Sequence, residues 1–131
     1  MHPTTYLRAE GLALFLAATA GYLVVGEPLW LYLLLFFLPD LSMLGYLAGP
    51  AVGARVYNLA HVGVWALALG GVGVWLGIPL LVAGGLVWLA HLGADRALGY
   101  GLTYEDAFGH THLGRTDRTD RTRRRPVDTV R

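Results

Sequence analysis

The chain has no cysteine, so a disulfide, a thiolate nucleophile or a cysteine metal site is excluded. It has no lysine either; all ten basic residues are arginine. A phosphate-binding Gly-rich loop needs its Lys, so that class of nucleotide site is excluded as well. No G-x-S-x-G stretch occurs, which leaves a serine-hydrolase elbow without support. Charge is scarce at 15% of residues, against about 25% in ordinary soluble domains. What fills the space is apolar: 55% of the 131 residues are hydrophobic, and the mean hydropathy is +0.50. This length suits one compact unit rather than two soluble domains.

Uncharged runs dominate the first three quarters of the chain. Residues 11–26 and 28–39 carry no charge, only Asp40 interrupts the run to Ala54, and residues 56–94 carry none with His neutral. A crossing helix needs about 20 residues to span a hydrocarbon core of about 30 Å. The last run is long enough for two crossings, with Gly77-Ile78-Pro79 as the turn. The fold class expected is an all-α, polytopic membrane protein. Its bundle has four transmembrane helices at about 8–26, 28–48, 54–76 and 78–98. Ala18-Thr19-Ala20 has the form of a signal-peptide cleavage site, but Arg8 is a weak basic region and Glu10 follows it, so the first segment reads as a retained span.

Arginine positions set the orientation, because basic residues collect in cytoplasmic loops. Arg8, Arg55, Arg96 and the seven Arg from residue 115 onward share one side of a four-span layout; the loops at 26–28 and 77–79 have none. Both termini are therefore expected in the cytoplasm, with the protein in the plasma membrane. Tyr22, Trp30, Tyr32 and Trp75 read as an outer aromatic belt, and Tyr6, Tyr46, Tyr57 and Tyr100 as an inner one. Ala13, Ala17 and Gly21, and Gly73 with Gly77, read as small-residue contact stripes. The domain expected is 1–114, its last part a cytoplasmic re-entrant or amphipathic segment over 99–114, followed by a disordered Arg-rich tail over 115–131. The lipid bilayer is the first partner. The tail's net charge of +4 suits anionic lipid, with no specific nucleic acid implied, and a homo-oligomer stays open.

Ionisable groups inside such spans cost about 3 kcal/mol each at the helix centre, so those retained tend to face inward and act. Asp40, His61 and His91 fall about 10–12 Å inside the cytoplasmic boundary, on three different helices. One turn nearer the cytoplasm come Asn58, three residues from His61, and Asp95, four from His91. Pro39 frees a carbonyl and kinks the second helix beside Asp40. Imidazole and carboxylate together are the ligand set of zinc, iron or manganese. The reading is a divalent transition metal held by Asp40, His61 and His91. Asp95 orients His91, His112 closes the site or relays protons, and Tyr57, Asn58, Arg96 and His110 support it. The activity implied is a membrane-embedded metal-dependent enzyme, hydrolase-like, open to the cytoplasm. The alternative is a non-enzymatic module that binds a lipid or a partner helix, its polar cluster serving as a structural network.

Longer motifs point to a family. Pro39-Asp40-Leu41-Ser42-Met43-Leu44-Gly45-Tyr46, Gly49-Pro50, Gly53-Ala54 and Tyr57-Asn58 with His61 form one set. His91-Leu92-Gly93-Ala94-Asp95-Arg96, Gly99-Tyr100-Gly101-Leu102 and Phe108 with Thr111-His112-Leu113-Gly114 form another. Over about residues 10–114 the chain resembles the small prokaryotic membrane proteins grouped as domain of unknown function 4260. The resemblance implies four membrane helices and no assigned activity. Thr103 stands where that family's pattern has Lys, which removes a cation from the position. A looser similarity, through Pro39-Asp40 and Thr111-His112, is to membrane-bound metal-dependent hydrolases.

Overall fold

The computed structural model describes residues 2–104, 107–111, 114 and 115. Helices dominate, and most of their ends carry a Pro or Gly signal. Helix α1 (Pro3–Val25) starts with Pro in its first turn, where a missing N–H costs nothing. It stops at Gly26, whose left-handed backbone lets its N–H cap the Tyr22 carbonyl. Helix α2 (Leu29–Phe37) follows after Pro28. Helices α3 (Pro50–Ala60), α4 (Gly63–Leu76) and α5 (Pro79–Leu98) complete the set, with Gly77 left-handed at the α4–α5 turn.

Two long helices expected to be continuous are interrupted. After Phe37 the chain tightens into a 3-10 helix, Leu38–Ala48, because Pro39 has no N–H to continue the α-helical ladder. Eleven residues is long for this conformation, which rarely exceeds 3–4 and often marks strain or function. The stretch over 54–76 breaks at His61 and Val62, between α3 and α4, with no proline to announce it. Taken through their interruptions, Leu29–Ala48 and Pro50–Leu76 are, with Pro3–Val25, the three segments among the described residues long and apolar enough to cross a membrane.

Helix α5 is not among those three, yet it is the most enclosed element. Ala83, Gly85, Val87, Ala90, His91, Leu92 and Gly93 are all buried on it. A helix surrounded by others needs small residues rather than a greasy surface. Gly11 of α1 and Gly93 of α5 meet backbone to backbone: a Cβ on Gly93 would sit 2.7 Å from the Gly11 carbonyl oxygen. Gly85 faces Gly70 of α4 in the same way, at 2.7 Å. Both α1 and α4 run antiparallel to α5, since Gly21 meets Leu86 and Gly73 meets Val82. Such close backbone approach is how membrane helices gain packing energy without a hydrophobic driving force.

These contacts correct two expectations. The packed stripe of α1 is Gly11, Ala18 and Tyr22, whereas Ala13 and Ala17 are exposed. Tyr22 and Tyr32 are core residues rather than belt residues, their rings edge to face. The Tyr22 hydroxyl donates to the Pro28 carbonyl and the Tyr32 hydroxyl pairs with Thr19. Buried phenols need such partners. Large apolar side chains instead point outward; Val24 is 87% exposed and Trp75 84%. A surface this apolar is foreign to a soluble monomer.

The described residues after α5 include strand rather than helix. They form a small antiparallel meander, β1 (Thr103–Tyr104), β2 (Ala107–Thr111) and β3 (Gly114–Arg115), in the order β1-β2-β3. Strands β1 and β2 lie against α3. The Arg-rich tail beyond residue 115 falls outside the described residues.

Candidate metal centre

Four side chains from three parts of the chain converge on one point. Asp40 comes from the 3-10 segment, His61 from the α3–α4 break, and His91 and Asp95 from one face of α5. Each can offer one ligand atom, and these four atoms lie within 4.8 Å of one another. The two Nε2 atoms of His61 and His91 are 3.1 Å apart. Asp95 Oδ2 lies 3.3 Å from His61 Nε2 and 3.1 Å from His91 Nε2. Asp40 Oδ1 lies 3.3 Å from His91 Nε2 and 4.0 Å from His61 Nε2.

Local structure explains the convergence. His61 ends α3, and its Nδ1–H donates 2.8 Å to the Tyr57 carbonyl one turn back. That bond fixes the tautomer and leaves the Nε2 lone pair free to face the centre. The Tyr57 ring stacks on the imidazole with centroids 3.8 Å apart. Helix α3 cannot continue past this point, so the Ala60 carbonyl loses its helical donor. The Trp88 indole N–H, reaching across from α5, supplies one at 2.7 Å. Helix α5 thus carries two members of the cluster and the brace that holds a third.

His91 lies edge-on to Phe36, with ring centroids 5.2 Å apart. Its Nδ1 is buried and has no hydrogen-bond partner among the described residues. The Phe36 backbone interacts with His91, and Pro39 has no N–H to give the Phe36 carbonyl in a 3-10 register. At the far end of α5, Arg8 Nε donates to the Ala97 carbonyl and the Tyr100 N–H to the Asp95 carbonyl, pinning the helix end that bears Asp95.

Burial is uneven across the cluster. The side chains of His61 and His91 are 3% and 2% exposed, Asp95 21% and Asp40 41%. Behind Asp95, a pocket of about 10 Å³ lined by Tyr57, Arg96 and Tyr100 has room for about one water. Asp40 is therefore the most open member of the cluster and the two imidazoles the most enclosed.

The sequence reading is met unevenly. Asp40, His61 and His91 do come together. Asp95, expected to orient His91 from outside, stands as close to both imidazoles as they stand to each other. Tyr57 and Arg96 border the cluster, and Asn58 is half-buried one turn from His61. His110 lies on β2, and His112, the expected closing group, falls outside the described residues. Trp88 went unnoticed, although its place three residues before His91 puts it beside that residue on α5.

The model of one protein family, described as Domain of unknown function (DUF4260), matches residues 4–116. No curated protein and no solved structure matches the chain significantly.

Proposed function

The chain belongs to the DUF4260 family over residues 4–116, and from its geometry we propose a membrane-embedded, metal-dependent enzyme of the hydrolase type. The observation that carries this is the meeting of four donor atoms from three segments within 4.8 Å. Zinc bonds of about 2.0–2.1 Å in a tetrahedron place ligand atoms about 3.3 Å apart. The distances among His61, His91 and Asp95 run from 3.1 to 3.3 Å. Two imidazoles with carboxylate oxygens suit zinc, iron or manganese.

In this reading His61, His91 and Asp95 hold the metal. Asp40 is the most exposed of the four and stands furthest from His61, at 4.0 Å. It is the carboxylate able to leave the inner ring, accept a proton from water, and return it to a leaving group. Three protein ligands with a fourth open position distinguish a catalytic site from a structural one. A bound metal supplies polarisation of a substrate oxygen and acidification of water. The Tyr57 carbonyl holds His61 in the required tautomer, and the narrow pocket behind Asp95 limits water entry from that side.

The membrane placement belongs to the same proposal. With α5 enclosed, the three apolar segments and α5 make four crossings. The arginine distribution supports cytoplasmic termini in a plasma membrane, and the family resemblance supports a prokaryotic one. The second reading, a purely structural polar network, draws on the same distances: 3.1 Å between His91 and Asp95 also suits a protonated imidazole paired with a carboxylate. X-ray absorption fine structure on zinc-loaded protein separates the two. The enzyme reading expects two imidazole shells and carboxylate oxygen at about 2.0–2.1 Å. A zinc shell without imidazole scattering would sink it.

A further inference from the structure

An apolar groove that the proposed chemistry leaves unused is lined by chain neighbours of the cluster residues. One part, of about 310 Å³, is lined by Leu35, Leu38, Pro39, Leu69 and Gly84, among others. A second part, of about 380 Å³, reaches Trp65 and shares Ser42, Ala60 and Trp88 with the first. Three wall residues are neighbours of the cluster along the chain: Pro39 precedes Asp40, Ala60 precedes His61, and Trp88 is three before His91.

The walls state what can lie there. The Ser42 hydroxyl is already given to the Pro39 carbonyl, and the Trp88 N–H to the Ala60 carbonyl. With those groups spent, a peptide or a sugar would bury its own polar groups without partners, at a cost that hydrocarbon avoids. The groove lies between the two interrupted segments, Leu29–Ala48 and Pro50–Leu76, both apolar enough to cross a membrane. Its second part includes the exposed Leu59. In a bilayer the medium against that residue is acyl chain.

We infer that the substrate is a membrane amphiphile, its hydrocarbon chain lying in this groove and its polar head reaching Asp40 and His91 from within the bilayer. This rests on the metal-enzyme reading for the fate of the head, and on the groove alone for the chain. Asp40 is the most exposed member of the cluster and follows the groove residue Pro39 in the chain.

The test uses the full chain in nanodiscs of phosphatidylcholine doped with a phosphatidylcholine whose acyl chain carries a diazirine. After photolysis, labelled residues are mapped by mass spectrometry, and metal content is measured on the same sample. Labelling is expected to concentrate on Leu38 and Trp88 over the exposed controls Leu23 and Trp75. It is expected to fall several-fold in Gly84→Leu and in Leu69→Trp, which fill the groove, with metal content unchanged in both. Even labelling of Leu38, Trp88, Leu23 and Trp75 overturns the inference, as does undiminished labelling in both filled variants. Concentrated labelling on metal-free protein upholds the chain site and removes the metal reading, whereas even labelling with metal bound removes the chain site alone.

Discussion

At the scale of residues, the cluster was half legible. Asp40, His61 and His91 stand out because each is an ionisable group in an uncharged run, and helix rise alone puts them at one depth. Helix rise cannot say which carboxylate comes closest, because that depends on how far each end unwinds. Asp95 gains its place since α5 stays regular to Leu98 and presents i and i+4 on one face. Trp88 was invisible because its role exists only across helices. Two predictions belong here. Trp88→Phe leaves the Ala60 carbonyl without a donor in apolar surroundings, an omission worth about 1–3 kcal/mol. Thermal unfolding in detergent should show that loss together with weaker metal retention; an unchanged midpoint and unchanged retention would remove Trp88 as a brace. Metal retention should also depend on pH. Ligating imidazoles must be neutral, so protons compete with the metal at His61 and His91. Dialysis at fixed free zinc should show less bound metal in acid than at mildly alkaline pH. Retention that is flat over that interval would argue that His nitrogens are not ligands.

Among elements, helix ends were easier to read than helix interiors. Pro3, Gly26, Gly77 and Pro79 carry their backbone preferences wherever they occur, and the structure uses each one accordingly. The break at His61 has no such marker. It persists because the cluster, the Tyr57 stack and the Trp88 bond compensate for lost helical hydrogen bonds, and none of these is local. The sheet at 103–115 was missed for a related reason: its strands are short and lean on α3. Helix packing gives a further prediction. Gly85→Ala forces a Cβ to 2.7 Å from the Gly70 backbone and 2.8 Å from the Ala66 carbonyl oxygen. Overpacking of this kind costs about 1–3 kcal/mol. Gly71→Ala, a neighbour on α4 with open space around it, should be tolerated. Equal melting of the two variants would mean that α4 and α5 are not in close contact.

For the whole molecule, polarity is arranged inside out. Small and ionisable groups lie within, around α5, and large apolar side chains lie without. Composition foretold that the chain is apolar. It could not foretell that the helix bearing His91 and Asp95 would be the most enclosed one. Absence of native cysteine makes topology directly measurable, since any introduced cysteine is unique. Cysteines at positions 27 and 78 should react with an impermeant thiol reagent added outside intact cells, and one at position 52 only after lysis. Protection of position 27 in intact cells would contradict the four-crossing layout.

The central claim is that Asp40, His61, His91 and Asp95 form a metal centre, and elemental analysis of protein purified in detergent without chelator tests it most directly. The account predicts about one transition metal per chain in the wild type, in accord with a single cluster. It predicts near-complete loss in His61→Ala and His91→Ala, and retention in the remote variant Gly71→Ala. Wild-type protein that purifies metal-free, and stays so after incubation with zinc, iron or manganese, would contradict it.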